Sequence, residues 1–402
     1  MLYPYTAGFW LLVLQNSAYQ SQELRDKSIL KSRFFYSQTR RCRPNHRSEM
    51  AKNSNLSQAK AAKNDEFYTQ YADIQKEVNA YIEYNPDVFR GKTILLPCDD
   101  PEWSNFTKFF AQNFEFFGLK KLISTSYAIE SKNYKTDWQP TLFETENPLY
   151  NADKSRVKGK IFTLDHDTNT NGRVDIDDLQ WQYLEGDGDF RSEEVTALRN
   201  EADIIITNPP FSLFREFLAW VMESGKSFLM IGSLNAITYK EVFPLVKDNK
   251  MWLGNGFSAG NAFFRIAGGA SVDYAEGVYD SNTGLVKFRN CCWYTNIDHG
   301  RRHQQLQLMT MADNLKFNKK MKGQTEYQHY DNYDAIEIPY TELIPSDYNG
   351  VMGVPVTFLD KYCPEQFEII GNEYDLNLSK GRGYVNGKRC YGRVFIRKKQ
   401  QP

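Results

Sequence analysis

Asp203-Ile204-Ile205-Ile206-Thr207-Asn208-Pro209-Pro210-Phe211 decides how this chain is read. Three isoleucines and a threonine make a short apolar run of the kind buried inside a sheet. The run stops at two prolines, which fix the backbone and remove two N–H donors. A helical pattern follows from Leu213 to Glu223 and is closed by Gly225. The stretch therefore predicts a buried strand ending in a rigid loop with an aromatic tip. Ligands of open α/β sheets bind at that carboxyl edge of the strands. An amide side chain, proline carbonyls and a ring at that edge suit the capture of a planar base bearing an amino group.

The pattern outward from this strand alternates in the same way. Tyr71 to Tyr84 has apolar residues at helical spacing (Ile74, Val78, Tyr81, Ile82), and Thr93 to Leu96 reads as a strand ending at Pro97-Cys98-Asp99-Asp100-Pro101. Phe106 to Phe117 predicts one aromatic-rich helix stopped by Gly118, and Leu122 to Tyr127 a second strand. A polar insertion runs from Glu130 to about Arg156, and strands are expected at Lys160 to Leu164 and Ser227 to Ile231. Strands alternating with helices indicate a parallel, doubly wound α/β sheet. After Gly254 glycine becomes frequent and the strands shorten, so a β-rich or mixed region is expected, part of which completes the sheet.

The 402 residues suffice for two domains and a substantial core. Residues 1–63 read as a leader, with Met50 as an alternative natural start; 64–255 as the catalytic domain; 256–402 as the remainder of the sheet with a recognition region. The net charge of −1 excludes a polyanion-binding surface spread over the whole molecule, so any such surface is local. The six cysteines form no CxxC pair, which speaks against a zinc site or a disulfide framework and for a reducing cytoplasm. Phe9 to Leu14 is too short to span a bilayer. No basic segment precedes it, so no signal peptide is expected.

The loop at Asn208 suits one reaction in particular. An exocyclic adenine amine is a poor nucleophile because its lone pair is delocalised into the ring. The Asn208 oxygen and the Pro209 carbonyl can each accept one of its N–H bonds and stabilise the charge that develops. Phe211 can stack on a base once it has left the helix. A cytosine-C5 reaction needs a cysteine nucleophile beside this loop. Pro97-Cys98 is the only Pro-Cys pair near a strand end, and it lies elsewhere.

Thr207 to Phe217 (TNPPFSLFREF) resembles the catalytic segment of the EcoRI-type adenine-specific DNA methyltransferases. The resemblance extends to Asp65-Glu66-Phe67-Tyr68-Thr69-Gln70, to Cys98-Asp99-Asp100-Pro101 with Ser104-Asn105-Phe106, to Gly186 through Ser192 and to Lys380 through Arg389. It covers the chain from about Asn64 to Lys399. It implies a Rossmann-like methyltransferase sheet, mostly parallel with helices on both faces, and a β-rich C-terminal DNA-recognition region. S-adenosyl-L-methionine is implied as methyl donor and adenine N6 in double-stranded DNA as acceptor. A monomer in the cytoplasm is expected, as is a cognate restriction endonuclease that shares the site without a stable complex.

The resemblance implies that Asn208, Pro209, Pro210 and Phe211 form the catalytic loop. Phe67, Tyr68 and Thr69 are expected as a lid over the methionine end of the cofactor; core packing of the two rings is the alternative. Pro97 and Asp99 occupy the loop where most methyltransferases carry a Gly-rich turn. Asp99 either contacts the cofactor's amino acid or caps a helix. No acid directly follows Leu122 to Tyr127 for the ribose, Glu130 being the nearest. Asp187 or Asp189 is expected at the cofactor's adenine amino group, with Phe190 beside the ring.

Two further patterns stand out. Asp167-x-Asn169-x-Asn171-Gly172, with Val174 and Asp178, matches a calcium loop except that Asp fills its last position; a turn built from Asx side chains is the alternative. Methyl transfer needs no metal, and none is expected at the catalytic site. From Lys380 to Lys399 eight cations stand without an acid, among glycines and aromatic residues, which suits phosphate contact. Arg301-Arg302-His303 and Lys316 to Lys322 are further candidates. An N-methyltransferase of RNA or protein glutamine, or a catalytically silent DNA-binding module, are the rival functions.

Overall fold

The computed structural model describes residues 67–99, 104–128, 145–257, 261–266, 278–376, 378 and 382–400. The expected leader, with Met50, lies outside them. Strand β1 (Phe67–Thr69) precedes helix α1 (Tyr71–Tyr84), whose Ile74, Val78 and Tyr81 recur at helical spacing and are wholly buried. Strand β2 (Thr93–Leu96) leads to α2 (Asn105–Gln112) and the single turn α3 (Phe114–Phe117). The one helix expected here is broken at Asn113, whose side-chain amide donates to the Phe109 carbonyl. Gly118 then stops it at φ 60°, in the left-handed region.

Strands β3 (Lys121–Ser126), β4 (Lys160–Leu164) and β5 (Gln180–Tyr183) follow, with α4 (Ala152–Val157) between β3 and β4. The expected insertion is thus described only from 145 onward, and Glu130 lies outside. The chain continues through α5 (Glu193–Glu201), β6 (Ile204–Thr207), α6 (Phe214–Ser224), β7 (Ser227–Ser233), α7 (Phe243–Lys247) and β8 (Trp252–Leu253). Beyond Gly254 come β9 (Asn261–Ile266), β10 (Tyr279–Asp280), β11 (Leu285–Arg289) and β12 (Cys291–Thr295). The C-terminal part holds α8 (Met311–Phe317), β13 (Ile336–Glu337), β14 (Met352–Pro355), β15 (Phe367–Asn372), β16 (Tyr384–Val385), β17 (Lys388–Arg389) and β18 (Arg393–Lys398).

The main sheet has eight strands in the order β5-β4-β3-β2-β6-β7-β12-β8. Only the neighbouring pairs β3·β2, β2·β6 and β6·β7 are parallel; β4 pairs antiparallel with β3 and β5, and β12 antiparallel with β7 and β8, so β4 and β12 run against the other six strands. The sheet is less parallel than its sequence suggests. One reason is that β4 and β5 are joined without a crossover helix, a connection that suits antiparallel pairing.

Alternate residues of the central strands enter two cores, as a pleated strand requires. Ile94, Leu96, Ile204 and Ile206 pack with residues of α1 and α2. Leu95, Ile123 and Ile205 pack with residues of α5 and α6, so helices cover both faces. Met352, Val354, Phe367 and Ile396 of the C-terminal sheet β13-β14-β18-β15 join that second core. A smaller antiparallel sheet, β1-β9-β11-β10, joins the start of the described chain to residues beyond 256.

Candidate active site

The order of the central strands places the site. The chain passes from β2 to β3 on one side and later returns to β6 on the other, so connections leave the adjacent carboxyl ends of β2 and β6 in opposite directions. Asp99 follows β2 and Thr207 ends β6. Asp99 is 5% exposed; its Oδ2 accepts the Thr207 hydroxyl at 2.6 Å and its Oδ1 the Ser104 hydroxyl at 2.7 Å. Ser104 is the N-cap of α2 and accepts the Phe106 amide at 3.1 Å. The Ser124 hydroxyl donates to the Asp99 carbonyl. Asp99 therefore ties the ends of β2, β3 and β6 and the start of α2 together, and the helix cap expected of it is Ser104.

The Asn208 side chain extends from this knot, half-buried, with its Oδ1 enclosed. The Pro210 carbonyl accepts the Leu213 amide at 3.0 Å and opens the turn into α6, whereas the Pro209 carbonyl precedes that turn. Phe211 is 8% exposed. Its ring stacks on Phe288 (6.0 Å, 26° between planes) and meets Phe264 edge-on at 6.3 Å. Phe264 and Phe288 come from β9 and β11, so the small sheet covers the loop. Neither residue carries a local signal that links it to Asn208.

The other expected residues gather along the same edge, with one exception. The Thr69 carbonyl accepts the Asn105 side-chain amide at 2.7 Å. The Thr69 hydroxyl is buried and has no hydrogen-bond partner among the described residues. Tyr68 is half-buried and paired with Arg265; Phe67 is placed by its backbone opposite Ile266. Pro97 is buried, and its carbonyl accepts the Thr125 hydroxyl at 3.0 Å. The turn from Gly186 to Asp189 lies against the end of β3, where the Asp187 carbonyl accepts the Ala128 amide at 2.7 Å. Gly188 has φ 84°, and a Cβ there would stand 2.3 Å from the Ser126 oxygen, so the approach needs glycine.

Asp189 accepts the Tyr127 hydroxyl at 3.0 Å and two Arg191 N–H groups at 2.9 and 2.6 Å. Burial opposes its ionisation, but the Arg191 bonds and the Tyr127 hydroxyl outweigh burial and hold the carboxyl below its usual range. Burial and the Asp189 charge together push the Tyr127 phenol up. The Asp187 carboxylate accepts a single bond among the described residues, from the Asp189 amide at 3.1 Å. The exception is Phe190, which is 4% exposed and packs against Phe217 and Trp220 at 5.1 and 5.6 Å. Its ring belongs to the core on the α6 side.

Asp167 and Asp178 spend their oxygens on backbone amides. Asp178 accepts those of Thr168, Asn169 and Asp175 at 2.8 to 3.1 Å, and Asp167 accepts that of Gly172 at 2.7 Å. This is a turn built from Asx side chains; among the described residues no group of three His, Cys, Asp or Glu is placed to hold a metal. Several of the C-terminal cations also turn inward. Arg393 pairs with Glu337, Arg382 lies 3.6 Å from Glu373, and Lys398 donates to the Ser346 carbonyl. Lys388, Arg389, Arg397 and Lys399 are exposed, while Lys380 lies outside the described residues. Arg301 pairs with Asp360 and Arg302 lies over the Trp252 ring at 3.7 Å. His303 bridges Asp298 and Glu365.

Comparison with known proteins agrees with this geometry. Residues 55–399 match the family model described as adenine-specific methyltransferase EcoRI. The chain is 40% identical over 351 residues to the type II methyltransferase M.EcoRI of Escherichia coli, covering 87% of this chain and 98% of the relative. It is 33% identical over 364 residues to the type II methyltransferase M.MpnI of Mycoplasma pneumoniae (86% and 98%), and 34% identical over 368 residues to M.MgeORF184P of Mycoplasma genitalium (86% and 99%). No solved structure matches. Among the described residues no helix is long and apolar enough to cross a membrane.

Proposed function

The chain belongs to the EcoRI-type adenine-specific methyltransferase family, and from that premise we propose how its residues methylate adenine N6 in double-stranded DNA. As a member it is an adenine-specific type II DNA methyltransferase. Asn208 Oδ1 and the Pro209 carbonyl each accept an N–H of the extruded adenine amine. The adenine lies against the face of Phe211 remote from Phe288. Pro210 closes the turn that holds both acceptors still.

S-adenosyl-L-methionine, when bound, supplies an electrophilic methyl group on a sulfonium. The residues at the edge fit it. The orphaned Thr69 hydroxyl, on the face of β1 shared with Phe264, suits the polar amino-acid end, whereas Tyr68, paired with Arg265, points to the other face. Asp187, expected from sequence at the adenine amino group, has acceptor capacity at the end of β3 and there suits the ribose hydroxyls instead, in the place where the sequence offered no nearby acid. Asp189 orients Asp187 through its own amide and is itself held by Arg191. Acceptance of the methyl group would leave the amine nitrogen positively charged until it loses a proton to solvent, and the Asn208 oxygen and Pro209 carbonyl would stabilise that charge. The protein's part is alignment and charge stabilisation.

The observation that carries this reading is the Asp99–Thr207 bond, which locks the cofactor-side loop after β2 to the strand that ends at Asn208. Its test is methyl transfer from labelled S-adenosyl-L-methionine to DNA, RNA and protein in parallel. Label in DNA at adenine N6, lost in Asn208→Ala, supports it; label in RNA or in glutamine overturns it. A monomer in the cytoplasm, with an endonuclease reading the same sequence and no stable complex between them, completes the proposal.

A further inference from the structure

We propose that the outward face of the small sheet β1-β9-β11-β10 is a clamp for the phosphate backbone of duplex DNA beside the catalytic loop. The inference rests on the function proposed above. Strand alternation places Phe264 and Phe288 on the inner face, against Phe211, and Phe263, Arg265, Lys287 and Arg289 on the outer one. Register sets Lys287 opposite Phe263, with its ammonium 5.8 Å from the ring centre, and Arg265 opposite Leu285. Three cations therefore crowd one face of two neighbouring strands.

Each of the three faces a neutral residue across the ladder, Arg289 standing opposite Asn261, so the cations form a staggered row rather than opposed like-charge pairs. Several cations elsewhere are answered by acids: Arg191 by Asp189, Arg301 by Asp360, Arg393 by Glu337. Arg265, Lys287 and Arg289 form no ion pair among the described residues. The outer face has one described acid, Asp280 on the edge strand, and its carboxylate accepts from the Asn282 amide and the Thr283 hydroxyl at 2.9 and 3.0 Å. A row of cations without an ion pair among the described residues, around a 42% exposed phenylalanine, complements a polyanion with apolar sugars between its charges. The face lies about one sheet thickness, roughly 10 Å, from the catalytic loop, within reach of phosphates that flank an extruded nucleotide. The local basic surface that a chain of net charge −1 requires is thus assembled from residues 24 positions apart, 265 and 289.

The test is the salt dependence of binding to a fluorescent mixed-sequence duplex by Arg265→Gln, Lys287→Gln, Arg289→Gln and the triple variant. Each lost phosphate contact lowers the slope of log K against log salt by about 0.9, so the triple variant loses roughly 2–3. KM for DNA rises, kcat at saturating DNA stays within about twofold, and Arg265→Lys keeps the wild-type slope. Lys120→Gln, before β3 at the opposite edge, leaves the slope unaltered. A wild-type slope in the triple variant, or loss of self-association alone in sedimentation, overturns the proposal. Binding is read without turnover, so failure of the clamp is distinguishable from failure of the methyltransferase reading, which label transfer by the wild-type enzyme tests separately.

Discussion

Thr207 donates its hydroxyl proton to Asp99 Oδ2 across 2.6 Å, and this bond joins residues 108 positions apart at the point where the sheet reverses its winding. Both groups are buried, Thr207 at 0% and Asp99 at 5% exposure, so water cannot replace either partner. The residue that precedes Asn208 is thereby fixed to the loop that follows β2.

Thr207→Val removes that donor and keeps the shape. It is expected to cost about 1–3 kcal/mol in stability, because a buried carboxylate loses a partner. The kcat falls about tenfold through misalignment. Thr207→Ser restores both. Thermal melting and steady-state kinetics of the two variants check this; unchanged kcat in the valine variant refutes the positioning role.

Asn208→Ala should lower kcat by about 10²–10³, the loss seen when one preorganised charge-stabilising group is removed. Binding of S-adenosyl-L-methionine, measured by calorimetry, should survive. Equal loss of both would mean that Asn208 maintains the fold of the loop rather than the reaction.

Thr69→Val tests the orphaned hydroxyl. Since Oγ1 has no partner among the described residues, valine should leave the melting temperature unchanged or raise it. Affinity for S-adenosyl-L-methionine should fall about tenfold, the worth of one hydrogen bond to a charged group. Full affinity in this variant removes Thr69 from the cofactor site.

Gly188→Ala forces a Cβ to 2.3 Å from the Ser126 oxygen at a φ of 84°. The strain should cost at least about 1–3 kcal/mol and lower the melting temperature by several degrees. Cofactor affinity should fall with it, because the same turn presents Asp187. An alanine variant with native melting and native affinity would contradict the close approach.

Glu77 gives a pH signature. It is buried and accepts the amides of Asn255 and Gly256 at 2.7 and 2.9 Å and the Tyr81 hydroxyl at 2.9 Å. Burial outweighs these bonds and raises its pKa from 4.5 to about 7. The folded state therefore holds this proton more tightly than the unfolded chain. The resulting stabilisation is complete below pH 4.5, declines as pH rises to about 7, and is then gone. Its size is roughly 3 kcal/mol at most. Glu77→Gln should flatten stability across that window in denaturant titrations; an unchanged slope places the pH dependence elsewhere.

Local patterns were legible wherever a residue's role depends on its near neighbours. The apolar run before Asn208, the glycine stops at Gly118 and Gly225, and the helical spacing of Ile74, Val78 and Tyr81 each predicted the element found. Phe190 was not legible in this way. Its neighbours are turn residues, but its ring is claimed by Phe217 and Trp220 of a helix packed from below. The basic C-terminal run was visible as composition, yet Arg393 turns onto Glu337 and Lys398 onto the Ser346 carbonyl, partners 56 and 52 positions away that the run itself does not reveal.

The amino-acid sequence by itself determined the strand–loop–helix unit around Asn208, the α/β class and the family, because periodicity, proline geometry and a contiguous motif act over a few residues. Tertiary structure alone decided that Asp99 grips Thr207, that Asp187 and Asp189 stand at the end of β3, and that Phe264 and Phe288 pack on the Phe211 ring. Those contacts follow from the order in which strands pair. That order is settled by the packing of two cores against one sheet, and no short stretch of chain encodes it.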